Sequence, residues 1–260
     1  MFRFRHDTVK TVLNSFCLTS NIRAECEVYG LFRDLIPVEA LAAEEDLQSG
    51  RGRHGLLPDF RIEIPTPEGD PEYRLAELKI LGAVKKWYPR NGGLARRKSG
   101  VDRRVAILPW EYRTPLEKLD TKYHGTAAGQ VGPLVRRLES YGNLQCLVMG
   151  AFQEGSKDLH ALLDTLADSK LRARGLARGR EGTEMERAII LSEFRRELSV
   201  AGAKAYSACL IGRMARVGEG HRQAARRRAW VRREEERTEE ARKAHWTFNV
   251  VGKGGDIDAK

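Results

Sequence analysis

The chain has 260 residues, of which 41% are apolar, enough for one large domain or a domain with an extension. No segment approaches the roughly 18 apolar residues that span a bilayer. The start, MFRFRHDTVKTVLNSF, lacks the apolar core of a secretory signal, so the sequence suits an intracellular protein, nuclear or cytoplasmic, neither secreted nor bound to a membrane. Arginines in that segment also suit a transit peptide, against which Asp7 argues, and the abrupt opening suits a piece of a longer reading frame. A net charge of +10 and an isoelectric point near 9.6 favour an anionic partner, nucleic acid above all. Cys17, Cys26, Cys146 and Cys209 are too far apart for a zinc ribbon or finger and read as free thiols.

Apolar periodicity predicts a helix over residues 6 to 18 and a second over 20 to 36, capped by Ser20 or Asn21 and stopped at Pro37. On the second, Ile22, Cys26, Tyr29, Phe32 and Ile36 share one face, and Glu25 falls within it. Residues 46 to 55 read as a loop. Residues 56 to 64 (LLPDFRIEI) and 73 to 81 (YRLAELKIL) read as antiparallel strands joined by the turn PTPEGDPE. Residues 82 to 100, through WYPRNGGLARRKSG, read as a flexible basic loop. A helix interrupted by Pro109 and Pro115 is expected over 101 to 123, and a short amphipathic helix over 131 to 141. A buried strand over 144 to 152 and a helix over 156 to 171 come next. Residues 1 to 175 therefore read as an α/β domain, a small mixed sheet flanked by helices. Residues 176 to 260 read as a helical, charged extension. It comprises a largely buried helix over 183 to 217 broken near Gly202, a charged helix over 219 to 245, and a disordered tail, GKGGDIDAK.

Charge inside the two strands is costly unless it is paired, exposed or used. Strand side chains alternate between faces. Phe60, Ile62 and Ile64 share one face with Ala76, Leu78 and Ile80, which sends Asp59, Glu77 and Lys79 together to the other. Two carboxylates one ladder spacing apart, about 5 Å, repel at neutral pH. A hard divalent cation relieves that repulsion, and Mg²⁺ is commonly held by one or two carboxylates with waters and phosphates. Such a site suits phosphodiester hydrolysis, with the ion activating a water and the lysine orienting it. The competing reading is a surface salt bridge, Glu77 with Lys79 or Arg61, on a solvated face.

Pro58 and Asp59, with Glu77, Leu78 and Lys79 on a neighbouring strand, resemble the signature of the PD-(D/E)xK, or restriction-endonuclease-like, nucleases. The resemblance covers roughly residues 20 to 152. It implies a restriction-endonuclease-like sandwich, Mg²⁺ (or Mn²⁺) held by Asp59 and Glu77, and Lys79 serving the attacking water. Some members carry a glutamate on the helix before the sheet, for which Glu25 is the candidate, and a glutamine in or near the next helix, for which Gln130 is. The segments GPLVRRLESYG and LVMGAFQEGSKDLHALL look similar to retroelement-associated members. D-x-K recurs at Asp120–Lys122, Asp168–Lys170 and Asp258–Lys260, in helix or tail contexts that a charged surface explains. The reading is thus a nuclease, with DNA favoured over RNA as its substrate.

Arg96, Arg97 and Lys98, among glycines, are candidate phosphate contacts, and Trp87–Tyr88 candidate base stackers. His54 and His124 are loop histidines that could reach metal or phosphate; His6 has no visible constellation. The arginines at 226 to 233 either bind nucleic acid or pair with the acids after them along one helix. Two other classes remain open: an inactive nucleic-acid-binding module, and a scaffold that self-associates or binds a protein through the C-terminal helices.

Overall fold

Period-two strands and period-3.6 helices alternate along the chain, and their apolar stripes meet on both faces of one small sheet. The computed structural model describes residues 2–41, 57–66, 69–82, 94–176 and 182–251. In order these form α1 (Phe2–Thr19), β1 (Arg23–Cys26), a 3-10 turn (Arg33–Leu35), α2 (Val38–Leu41), β2 (Phe60–Ile64) and β3 (Glu72–Ile80). Then come α3 (Leu94–His124), α4 (Pro133–Glu139), β4 (Gln145–Met149), α5 (Lys157–Ala173) and α6 (Thr183–Val251).

The sheet is mixed and open, in the order β1-β2-β3-β4. β1 and β2 are antiparallel, with Glu25 opposite Arg61; β2 and β3 are antiparallel, with Phe60 opposite Ala76. β3 and β4 are parallel, with Glu77 opposite Cys146. On one face, Phe60, Ile62, Ala76, Leu78 and Leu147 pack under Leu13 and Phe16 of α1, Leu162 and Leu166 of α5, and Phe194 of α6. On the other, Leu75 packs with Tyr112 and Leu116 of α3 and Leu134 of α4, while Val148 packs with Val101 and Leu108 of α3. Buried aliphatic side chains contribute roughly 1.5–3 kcal/mol each. The second face is therefore a core, not the solvated surface that would have hosted a superficial Glu77–Lys79 pair.

The edge strand β4 is closed off by the start of α5. Ser156 caps that helix by accepting from the Leu159 N–H at 3.2 Å, and its hydroxyl also takes the Val148 N–H at 3.0 Å. Asp158 accepts from the Cys146 N–H at 2.7 Å. These bonds satisfy strand donors that an open edge would leave exposed.

Several elements differ from expectation. Residues 20 to 36 are not a helix: Asn21, Glu27 and Gly30 all have positive φ (54°, 56° and 73°), and Arg23–Cys26 is a strand paired with β2. Of the expected stripe Ile22, Phe32 and Ile36 are buried, but Cys26 and Tyr29 are exposed. Cross-strand pairing wins over a helical spacing that Gly30 already weakens. α3 begins at Leu94, so Arg96, Arg97 and Lys98 lie in a helix rather than a loop, and it runs unbroken through Pro109 and Pro115. Its stripe of Leu108, Tyr112, Leu116 and Leu119 is buried along its length, which offsets the hydrogen bonds the prolines cannot make. Likewise α6 runs through Gly202, where a Cβ would sit 2.8 Å from Met149 Cε. Glycine there lets the helix approach the sheet.

The chain divides into two compact units, Met1–Tyr206 and Ser207–Lys260. The first extends past residue 175 because Ile190, Leu191, Phe194 and Leu198 of α6 belong to the core. Yet α6 is not largely buried to residue 217: Leu210, Ile211, Met214 and Val217 are exposed. Among the described residues no helix is long and apolar enough to cross a membrane. The tail after Val251 lies outside the described residues.

Candidate active site

The site forms where β2 ends its pairing with β3. β2 accompanies β3 as far as Phe60 opposite Ala76, whereas β4 accompanies it from Ala76 to Ile80. The backbone N–H of Leu78 is thereby left without a strand partner on the β2 side. Asp59, one residue before β2, takes it: Oδ2 accepts from Leu78 N at 2.9 Å. The P-D step is thus held at the strand divergence by a backbone bond. Asp59 is 8% exposed and Glu77 4%.

Each acid has a fixed set of partners. Glu77 Oε1 accepts from the Lys79 ammonium, and Oε2 accepts from the Tyr112 hydroxyl at 2.5 Å. Tyr112 comes from α3 and is itself buried. Asp59 Oδ2 faces His6 Nε2 at 3.0 Å, and Oδ1 lies 3.5 Å from Lys10 Nζ. Lys10 also donates to Glu27 Oε1 at 2.9 Å, and Tyr29 donates to Glu27 Oε2 at 2.5 Å.

These contacts push the two carboxyls apart. Burial acts to raise Asp59, but the His6 hydrogen bond and charge, Lys79 and the Leu78 amide outweigh it and hold the carboxyl below its ordinary value. Burial raises Glu77, and the nearby Asp59 charge adds to it; together they outweigh Lys79 and Tyr112. For His6, burial acts to lower the imidazolium, but the Asp59 hydrogen bond and charge raise it overall. Its other ring nitrogen lies 3.2 Å from Asp7 Oδ1. Each ring nitrogen thus faces a carboxylate, an arrangement that favours the doubly donating, charged form. The result is one acid held toward its ionised form and one pushed toward its neutral form, with His6, Lys10 and Lys79 around them.

Two buried carboxylates supply hard oxygen donors of the type that Mg²⁺ or Mn²⁺ takes together with water and phosphate. Among the described residues no group of three or more His, Cys, Asp and Glu side chains gathers to hold an ion. A metal here would rest on Asp59 and Glu77 alone and complete its shell from solvent and substrate.

The remaining candidates lie elsewhere. Glu25 is on β1, not on a helix; it is exposed and pairs with Arg61 at 2.5 Å. Gln130 is exposed in the loop between α3 and α4, its backbone N–H bonded to Ala127 O at 3.1 Å. No described contact joins either to Asp59 or Glu77. His124 bonds Leu35 O at 2.8 Å. His54 and Trp87–Tyr88 lie outside the described residues. Asp120, expected on a charged surface, is 1% exposed and caps α4, accepting from the N–H groups of Leu134 (2.9 Å) and Val135 (3.1 Å). Gly132 lacks a capping side chain, and a Cβ there would collide with the Asp120 carboxylate. Asp168 pairs with Arg187 at 2.6 Å, and Asp258 lies outside the described residues.

Sequence reasoning missed His6, Lys10, Glu27 and Tyr112. A signal existed for two of them. The buried positions Leu13 and Cys17 of α1, extended backwards at helical spacing, land on Lys10 and His6. Polar residues on the inward stripe of a helix are candidates for a site. No protein-family model, curated protein or solved structure matches the chain, so the site stands on its own chemistry.

Proposed function

We propose that the chain is a Mg²⁺-dependent nuclease of restriction-endonuclease-like fold that hydrolyses phosphodiester bonds in DNA. The observation that carries this reading is the pair of buried acids, one immediately before β2 and one on β3, with the Asp59 charge pushing Glu77 upward and Lys79 against it. Asp59 and Glu77 would hold Mg²⁺, or Mn²⁺, which when bound polarises a phosphoryl oxygen and acidifies a water. Lys79 then orients the nucleophile and offsets charge growing on the phosphate. Tyr112 fixes the second oxygen of Glu77, and the Leu78 N–H and His6 fix Asp59 in its ionised form. A net charge of +10 draws a polyanion to the molecule.

The test uses the full chain with supercoiled and linear DNA, in Mg²⁺ and in EDTA. Cleavage is expected only with the metal and is expected to vanish in Asp59→Ala, Glu77→Ala and Lys79→Ala separately. Activity that survived all three would sink the mechanism.

One observation favours a second reading. Each acid already has a cationic neighbour, Lys79 for Glu77 and His6 with Lys10 for Asp59. Such a self-neutralised cluster suits an inactive DNA-binding module of a mobile-element or repair complex. That module would bind DNA with log affinity falling about 0.9 per phosphate contact per log unit of salt, and would cleave under no metal condition.

A further inference from the structure

The sheet face that carries Asp59 and Glu77 continues past them. By register, Glu25, Arg61 and Leu75 form the next row across β1, β2 and β3, and Arg23, Glu63 and Tyr73 the row after it. Side chains two apart on a strand share a face and stand about 7 Å apart. α3 and α4 cover Leu75, but Arg23, Glu25, Arg61, Glu63 and Tyr73 line an open cleft of about 310 Å³. The cleft therefore begins one row from the buried acids, within reach of the neighbouring nucleotide of an extended strand.

Its side chains set what it can hold. Tyr73 is a large aromatic residue left 42% exposed. The Arg61 guanidinium, held by Glu25 at 2.5 Å, lies over the Tyr73 ring, 5.8 Å from its centre. The ring thus turns its face, not its edge, toward the cleft. Arg23 and Glu63 are opposite each other on the ladder, yet among the described residues neither has an ion-pair partner. They leave a donor group and an acceptor group open to a ligand. Arg23 and Arg61 offset Glu25 and Glu63, so the formal charge of the cleft is zero and a phosphate finds no net attraction in it.

A flat, neutral group with donors and acceptors around its rim meets these terms, and a nucleobase is such a group. Every base has a π-face to lay on an aromatic ring. Glu63 can accept from an exocyclic amine or a ring N–H, and Arg23 can donate to a ring nitrogen or a carbonyl. In a duplex, stacking and pairing already occupy the face and the rim. Only an unpaired base offers both.

We propose that this cleft holds an unpaired base of a single DNA strand, stacked on Tyr73, beside the phosphate presented to Asp59 and Glu77. The inference rests on the nuclease reading and narrows its substrate to single-stranded DNA or a single-stranded end.

The test is binding of the full chain, in EDTA and so without cleavage, to a labelled oligodeoxyadenylate of about twelve nucleotides. The control is an abasic strand of the same length, with the same phosphates and no bases. Wild type should bind the oligodeoxyadenylate more tightly. Tyr73→Leu should weaken that binding about 5–150-fold, the worth of one stacked base. It should leave affinity for the abasic strand and for a duplex unchanged, which also shows that the variant is folded. Tyr73→Phe keeps the ring and should bind as wild type does. Equal affinity of wild type for the two strands overturns the proposal, as does the same loss in Tyr73→Leu on all three DNAs. So does dAMP binding as tightly as the strand, which would assign the cleft to a free nucleotide. The two readings fail separately. Tyr73-dependent strand binding with no cleavage in Mg²⁺ would sink the nuclease and leave the base-binding cleft standing; cleavage in Mg²⁺ with no dependence of strand binding on Tyr73 would sink the cleft alone.

Discussion

Two neighbouring sites on the sheet carry the same kinds of side chain in opposite settings. At the first, Asp59 and Glu77 are buried, and the charge of one pushes the other upward. At the second, two residues further along β2, Glu25 of β1 pairs with Arg61 at 2.5 Å beside Arg23, Glu63 and Tyr73, which line an open cleft of about 310 Å³. Both sites look alike as letters in a strand. What separates them is solvent. Exposed pairs are screened and typically contribute 0–1 kcal/mol. Buried acids are not screened, so every partner changes their ionisation. A strand charge marks a candidate site when burial leaves it short of full relief, not when it merely alternates with apolar residues.

The largest expected contrast between the two sites is in cleavage. Replacing Asp59, Glu77 or Lys79 by alanine should lower DNA cleavage in Mg²⁺ by about 10²–10⁴-fold or more, whereas Glu25→Ala should leave it within about threefold. A Glu25→Ala defect as large as that of Asp59→Ala would break the comparison. Next in size is Tyr112→Phe. It deletes the donor to Glu77 Oε2 in a buried position. Hydrogen bonds to charged groups contribute about 1.5–3 kcal/mol, and urea unfolding should show a loss of that order.

The two acids should also respond to pH with opposite signs. Folding raises Glu77 above its ordinary value of 4.5, so the native state holds an extra proton between 4.5 and the folded value. Stability is then lost as pH rises through that window. Glu77→Gln removes the loss: it should stabilise the fold at pH 7 and give no gain below the window. Asp59 is held below its ordinary value of 3.8, so it stabilises above that pH and the benefit fades as pH falls. Asp59→Asn should therefore destabilise at pH 7. Melting temperatures of both variants across pH read the two signs directly.

The Asp59–Glu77 site was partly legible because parity is a strong rule. FRIEI and EYRLAELKI fix which side chains leave the first core, and the P-D before one strand draws attention to Asp59. Two things were not legible. Parity could not say that α3 would cover the second face, where its Tyr112, 35 residues further on, donates to the buried Glu77. Nor could local spacing place Glu25. Its segment carries apolar residues at helical intervals, and only the free edge of β2 turned it into a strand. The letters D-x-K mislead for the same reason. Asp120 is buried, but two N–H groups of α4 satisfy it fully.

The smallest expected effect is the sharpest test of the comparison. If Glu25 and Arg61 form an ordinary surface pair, Arg61→Ala and Glu25→Ala should each cost no more than about 1 kcal/mol. Their double-mutant coupling should shrink as salt rises, because the Debye length falls from about 10 Å at 0.1 M to 3 Å at 1 M. The pair is near a tyrosine: the Arg61 guanidinium also sits 5.8 Å from the Tyr73 ring centre. A cation–π contact at an exposed site adds about 0.5–1 kcal/mol and does not depend on Glu25. Any cost of Arg61→Ala that persists at 1 M salt thus belongs to Tyr73, and Tyr73→Leu should remove it. A coupling of several kcal/mol between Glu25 and Arg61, insensitive to salt, would mean that this site is shielded from solvent as well. The contrast drawn between the two sites would then fail.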